Sequence, residues 1–486
     1  MSSETTHRKD SAYVLRDLAG RDSEVPADDF LSGIENPPTH RPMIGCIIPA
    51  YNEADSIASV LDSLLMQTRP PDVIHVVVNN SSDETVEVAG HYAGLHSRWN
   101  HGQEEFTEIF VHDIGENPDK KVGALNYGFA MVESYDYLLG VDGDTTADPH
   151  AIKWLVDEME SDDRIGGISA IYSIDDTAVR GPISAFLIAG QRAQFSAFNM
   201  QNLLRGRNMA VLGGQFSIFS TAALRRVMEE SHQRSPWVRD SEVEDSLLSL
   251  QIKSAGYLTK ISAHARANVG GMQTVRSLDA QQVKWNYGAI ELMWPGQRGD
   301  TKGQPLHPNL RLRWFEHLSM LTNLFTRITF AVLLSASLTI HAYVFYWWWL
   351  APTVVATLLN GRVAHSMRNA NLKDYLFALS FVGAEVYMWI RLGHFVRAWT
   401  KFASRSQTDN WAAQARAERG AGHGYLIPVF GLLVLFGGLF EVWTRLPIGI
   451  QSDSLAVGWP ILGIVTAVQT AFMTLKVLRP YRGYKV

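Results

Sequence analysis

The sequence predicts an α/β domain followed by an α-helical membrane domain, and three observations carry that reading. With 486 residues the chain has room for two or three domains. From Met43 to about Ala267, short apolar runs alternate with segments of helical periodicity, the pattern of strand-helix repeats that build a mostly parallel sheet. From Ile328 to Gly361 there is no Asp, Glu, Lys or Arg at all, and a run such as "YVFYWWWL" suits a bilayer better than a soluble core.

Residues 1–40 are polar and charged, without an apolar segment that could serve as signal peptide or anchor; they read as a flexible arm that stays in the cytosol. Strands are expected at Ile44 to Ile48, Val73 to Val78, Glu108 to His112, Tyr137 to Val141, Ile165 to Tyr172 and Gln215 to Phe219, each a short run of apolar, largely β-branched residues. Between the first two, Ile57, Val60, Leu61, Leu64 and Leu65 fall on one helix face. The boundaries read as an arm (1–40), the α/β domain (41–292), an amphipathic interface segment (293–326, containing "NLRLRWFEHLSMLTNLF") and a membrane domain (327–486).

In the membrane domain, one helix over the uncharged stretch would be ~51 Å long at 1.5 Å per residue, against a ~30 Å hydrocarbon core. Arg327 precedes the stretch and Arg362, Arg368 and Lys373 follow it, so a hairpin turning between His341 and Pro352, with both ends in the cytosol, satisfies length and charge together. Tyr425 to Trp443 and Leu455 to Leu475 read as a second hairpin, giving about four crossings. The segment near 373–405 carries Glu385, Arg391, His394, Lys401 and Arg405 and reads as an interfacial helix. His341 and Glu441, ionisable groups within apolar surroundings, either mark a pathway or sit at helix ends facing headgroups.

Bulk properties exclude several classes. A formal charge of −6 argues against nucleic acid as a partner. The single cysteine, Cys46, makes an internal disulfide impossible and reads as a small core residue in "IGCIIP". No Cys/His cluster has zinc-site spacing.

The stretch "YDYLLGVDGDTTADP" sharpens the question of function. An apolar strand ends in Asp142 and Asp144 with only Gly143 between them, and a glycine at a strand's end lets both carboxylates turn onto one ligand. Alone, the pattern reads first as an acidic turn capping the next helix. Its company decides. "IIPAYNEADSI", "KVGALN" (121–126), "VDGD", "LGGQFSIFS", "VEDSLLSLQIKSAGY" and "QQVKW" follow one another in the order found in inverting, membrane-bound family 2 glycosyltransferases, which include cellulose, chitin and hyaluronan synthases. The chain resembles that family over residues 43 to about 292.

The resemblance implies a GT-A-like domain that binds a nucleotide-diphosphate sugar, with Ala50, Tyr51, Asn52, Glu53, Asn79, Lys121, Asp142, Asp144 and Lys284 on the nucleotide sugar and Gly213, Gly214, Gln281 and Trp285 on the acceptor. A diphosphate leaves poorly until its charge is neutralised, so Asp144, as the more direct ligand, and Asp142 are expected to hold Mg2+ or Mn2+. Asp245, beside Glu244 at the start of a helix that Gly256 stops, is the expected base for the acceptor hydroxyl; the same pair also complements a helix dipole. Lys284 stands where the family has arginine, and Asn79 and Asn80 where it has an aspartate pair that bonds the base, so uridine is favoured without excluding others. The expected partners are the nucleotide sugar, a growing glycan or lipid-linked acceptor, and the bilayer of the cell membrane, with any export subunit left open. Processive synthesis and transfer of a single sugar both remain in play.

Overall fold

The computed structural model describes residues 41–486 apart from 101–102, 178, 240, 242, 295–306, 405–412, 415 and 418–419. The expected arm, and part of the expected interface segment, lie outside these residues. The rest divides into two compact units. One holds the described residues up to Asp175 with Gln201–Gly270. The other holds Asp176–Met200, Gly271–Gly299 and Gly303–Val486.

The first unit is built on one nine-stranded sheet in the order β3-β4-β2-β1-β5-β8-β7-β9-β6. Its strands are β1 (Ile44–Ala50), β2 (Val73–Val78), β3 (Gly94–Asn100), β4 (Gln103–Asp113), β5 (Tyr137–Val141), β6 (Thr146–Ala147), β7 (Ile165–Ile174), β8 (Phe216–Ser220) and β9 (Leu258–Val269). Every residue of β1 and β2 is buried, which is why both read as unbroken apolar runs rather than alternating ones. The helices of this unit are α1 (Ile57–Leu65), α2 (Thr85–Gly90), α3 (Lys120–Val132), α4 (Ala151–Met159), α6 (Thr221–Ser231) and α7 (Glu244–Ser254); α5 (Gly181–Leu204) falls across the unit boundary. Helix α1 buries Ile57, Val60, Leu61 and Leu64. On α3, Val122, Leu125, Phe129 and Val132 pack with Ile47 and Val77 of the sheet, and each such side chain contributes about 1.5–3 kcal/mol of transfer free energy.

The expectation of a mostly parallel sheet is corrected. Strands β1, β2, β4 and β5 pair in parallel, as do β7 and β9, but β8 runs antiparallel between β5 and β7, β3 antiparallel against β4, and β6 antiparallel against β9. Parallel neighbours require a crossover, whereas β3 and β4, antiparallel neighbours that follow each other directly in the chain, need none. The lysine-containing segment "KVGALN" (121–126) lies within α3.

The second unit is helical: α8 (Val275–Met293), α9 (Arg311–Thr339), α10 (Ala351–Ser366), α11 (Leu372–Leu379), α12 (Phe381–Ala403), α13 (Ile427–Arg445) and α14 (Ile448–Leu478), with the part of α5 up to Met200. Arg192 of α5 grips Asp374 of α11 with two hydrogen bonds of 2.8 Å, both side chains buried, while Asn371 and Asp374 close a reciprocal cap on α11. Leu333 and Ala336 of α9 pack on Leu455 and Leu462 of α14, and Trp459 donates to Ser337 Oγ at 3.0 Å. Arg327 makes a two-pronged pair with Glu385 of α12 at 2.6 and 2.9 Å, so the two charges that interrupt this apolar region neutralise each other.

Among the described residues three helical segments are long and apolar enough to cross a membrane, Arg311–Thr339, Gly424–Arg445 and Ile448–Leu478, or four if α11 and α12, bent by 82° at their junction, form one broken span. The uncharged stretch from Ile328 breaks after Thr339 and restarts at Ala351, with a 3-10 turn at Trp347–Leu350 between. No boundary occurs at residue 327, because the expected interface segment from Arg311 onward runs without interruption into the apolar part of α9. His341 lies exposed in the turn with φ +53°, and Glu441 pairs with Arg445 one turn on near the end of α13.

Candidate active site

Five segments of the first unit bring their polar ends together. Strand β5 runs buried to Val141 and stops where Asp142 N–H donates to the carbonyl of Gln215 at 3.0 Å, tying this strand end to the turn before β8. Asp142 then meets Lys121 from α3: Nζ lies 2.5 Å from Oδ1. Burial opposes the lysine's charge, but the carboxylates of Asp142 and Glu244 outweigh it and hold its pKa above the usual value. Glu244, buried in the first turn of α7, places Oε1 at 3.8 Å from the same Nζ. One ammonium therefore faces two carboxylates that are 102 residues apart in sequence, since 244 − 142 = 102.

The spacing residues are as specific as the charged ones. A Cβ on Gly143 would sit 2.8 Å from Glu53 Cγ, so only glycine lets the β1 loop close over the strand end. Ser56 fixes that closure, donating to Gly143 O at 2.9 Å and lying 2.5 Å from Glu53 Oε2. Asn52, held left-handed at φ +55°, accepts from Ser82 N–H at 2.8 Å, and Tyr51 is left 39% exposed beside it. Ala50 is buried, and its carbonyl accepts from both the backbone and the side chain of Asn79. On the other side, a Cβ at Gly214 would come 3.2 Å from Lys121 Nζ, so the glycines of "LGGQF" let that turn approach the ammonium.

Asp144 differs from Asp142. It is an exposed residue whose carboxylate nonetheless lies against protein, and its Oδ1 accepts from Thr145 Oγ1 at 3.2 Å. Crowding by the surrounding protein and the charge of Asp142 push its pKa up to about 6, with Lys121 pulling the other way. A carboxylate that carries more negative charge than its surroundings compensate is a fitting hard oxygen donor for a divalent cation, with Asp142 two residues away as the second. No group of three His, Cys, Asp or Glu side chains converges among the described residues, so a cation held here would take its other donors from solvent and phosphate. Asp245 sits half-buried at the second position of α7, where Oδ1 accepts the N–H of Ser246 at 2.6 Å.

Sequence reasoning missed the support under the acceptor-side glycines. Tyr172 of β7 is buried, and its hydroxyl lies 3.0 Å from Gly213 O, 2.5 Å from Ser169 Oγ and 3.2 Å from Ser217 Oγ, which in turn donates to Gly213 O at 2.6 Å. Burial pushes the phenol up to about 12, so it stays a neutral donor. The only available signal was a tyrosine inside an apolar strand, whose hydroxyl needs partners when buried.

Gln281, Lys284 and Trp285 belong to the second unit, all on α8. Lys284 is buried, not on a solvated face, and Trp285 is half-buried with its ring 6.3 Å from that of Phe195.

The family model described as Glycosyl transferase family 2 matches residues 46–228. Among curated proteins, the chain is similar to the poly-beta-1,6-N-acetyl-D-glucosamine synthase of Staphylococcus epidermidis, 22% identical over 306 residues that cover 62% of this chain and 68% of that one. The protein of the same name from Staphylococcus aureus is 24% identical over 248 residues, 51% of this chain and 54% of that one, so the chain spans little more than half of this relative's length. Among solved structures, a mannosyltransferase from Pyrobaculum calidifontis in complex with GDP-Man and Mn2+ overlaps 82% of this chain and all (100%) of that one at 17% identity, with a TM-score of 0.44. Through residues 46–228 the chain is similar to glycosyl transferase family 2.

Proposed function

We propose that this protein is a membrane-embedded, inverting glycosyltransferase that uses a UDP-linked sugar to extend a β-linked polysaccharide. The observation that carries the reading is the meeting of Lys121 with Asp142 and Glu244 beside the exposed Asp144. The names of the curated relatives support a polymer of N-acetylglucosamine as the product, and the apolar helices support a place in the cell membrane with the sheet domain in the cytosol.

In this reading Ala50 to Glu53 and Asn79 form the nucleotide side of the site. Lys121 carries fixed positive charge toward the diphosphate, and its pairing with Asp142 keeps the ammonium in place before substrate arrives. Asp144 and Asp142 would hold Mg2+ or Mn2+, which when bound supplies charge neutralisation at the diphosphate. Asp245 takes the proton of the acceptor hydroxyl as that oxygen attacks the anomeric carbon from the face opposite the diphosphate. It stands in the first turn of α7, beside Glu244. Gly213 and Gly214, supported by Tyr172, shape the acceptor side, and Gln281 and Trp285 are assigned to the acceptor with Lys284 to the diphosphate.

Incubating the purified protein in detergent with a panel of labelled nucleotide sugars and sizing the product tests this. Long chains from UDP-N-acetylglucosamine at early time points are expected. A product bearing one added sugar at every substrate concentration would leave a transferase that acts once on a lipid-linked acceptor.

A further inference from the structure

The asparagine pair at the end of β2 departs from the aspartates that the resemblance leads one to expect, and the geometry around Asn80 accounts for its amide. Asn80 is left-handed at φ +53°, and its backbone N–H donates to Gly115 O at 2.9 Å. Its side chain is spent on one residue: Nδ2 donates to Asn117 O at 2.9 Å and Oδ1 accepts Asn117 N–H at 2.6 Å. Turning the amide over would set donor against donor and acceptor against acceptor. An aspartate could accept from Asn117 N–H, but its second oxygen would face the Asn117 carbonyl.

Asn117 passes the constraint on. Its Oδ1 accepts Asp119 N–H at 3.0 Å, its Nδ2 donates to Lys120 O at 3.3 Å, and its carbonyl also accepts Lys120 N–H at 3.1 Å. Lys120 is itself left-handed, at φ +51°, and the next residue is Lys121, which reaches Asp142. A continuous set of hydrogen bonds thus runs from the end of β2 through Asn117 to the start of α3.

We propose that Asn80 is a positioning residue, which clamps the 115–120 turn and thereby delivers Lys121 to the diphosphate side of the site, and that it takes no part in reading the nucleobase. The proposal rests on the glycosyltransferase reading for its substrate. Glycine and aspartate both tolerate the left-handed backbone, so Asn80→Gly and Asn80→Asp remove the clamp without straining the chain. Calorimetric titration of the full chain in detergent with UDP, GDP and ADP should show all affinities falling by a common factor, roughly ten- to hundred-fold, with the ratios among nucleotides unchanged. A change in those ratios, or unaltered affinities, overturns the proposal. Hydrogen exchange reads the clamp independently of any nucleotide: amides of residues 115–121 should exchange at least about tenfold faster in Asn80→Gly while those of β1 and β5 do not change. Equal protection in wild type and variant overturns the clamp, whereas the expected faster exchange in the variant with no nucleotide bound by the wild type would count against the glycosyltransferase reading alone.

Discussion

Leu139 and Leu433 are the same side chain in two regions folded for different surroundings. Leu139, in the middle of β5, is 0% exposed and has strands on both sides, whereas Leu433, in the middle of α13, is 65% exposed, and none of the residues of that helix is buried. Polar groups show the reverse. In the first unit the charges of Lys121, Asp142, Asp144 and Glu244 are gathered at strand and helix ends, where loops can deliver them to a ligand. In the second, Arg327 and Glu385 neutralise each other inside an apolar stretch. The contrast teaches that hydrophobicity alone did not distinguish the regions: "YLLGV" and "FGLLVLF" are comparably apolar, and what separates them is whether the partner is another strand or something that the protein does not itself supply.

The largest effect should come from the chemistry that the first unit concentrates. Asp245→Asn keeps the size and hydrogen-bonding capacity of the side chain but removes the proton acceptor, so transfer should fall about 10²–10⁴-fold while nucleotide-sugar binding persists. Parallel loss of binding and turnover would make Asp245 a substrate ligand instead. The comparison itself is tested by paired truncations. Leu139→Ala should cost about 2–5 kcal/mol of unfolding free energy, whereas Leu433→Ala should stay within about 0.5 kcal/mol in detergent, where lipid-like molecules fill the space. Similar costs at the two sites would break the contrast.

A smaller effect follows from His75 and His112, whose rings meet at 3.0 Å on neighbouring strands, with Phe110 stacked on one and the edge of Tyr127 against the other. Burial first, and the neighbouring His112 second, lower His75 to about 4, and burial lowers His112 as well. Both imidazoles are neutral in the fold above pH ~6.5 and in the unfolded chain too, so no stability is lost there. As pH falls from about 6.5 toward 4, the unfolded chain takes up protons that the folded rings refuse, and stability declines by on the order of 1 kcal/mol after allowance for solvent screening. His75→Phe should flatten the thermal midpoint between pH 7.5 and 5 relative to wild type; an unaltered slope would remove this pair from the pH dependence.

How far the sequence reached can be followed strand by strand. β2 and β5 begin and end where their apolar runs do, because β2 is buried throughout and β5 from Leu138 onward. β3 was missed since it is an edge strand that exposes Leu95 at 65% and Trp99 at 75% among polar residues, leaving no apolar run to read. β9 was missed for a different reason: its buried positions include the alanines 263, 265 and 267, small residues with little strand preference, and the polar Thr259, Ser262 and Arg266, so no apolar run stands out. α3 was not among the expected elements although Val122, Leu125, Phe129 and Val132 repeat at helical spacing and bury one face, because Gly123 and Gly128 interrupt the pattern.

Within the site, what is local was legible and what is tertiary was not. Asp142, Gly143 and Asp144 announce themselves within three residues. That Glu244 turns its carboxylate toward Lys121, that Asn80 spends its amide on Asn117, and that Tyr172 supports Gly213 are contacts between segments 37 or more residues apart, and no pattern of neighbours in the sequence encodes them.

The measurement that bears most directly on the account is release of nucleoside diphosphate from a nucleotide sugar by the wild type and by Asp144→Ala, purified side by side in the same detergent with a divalent cation. The account predicts turnover by the wild type and a loss of at least about a hundredfold in the variant, with both proteins equally folded by thermal unfolding. Equal release by the two would contradict it, since the Asp144 carboxylate at the end of β5 would then have no part in the reaction.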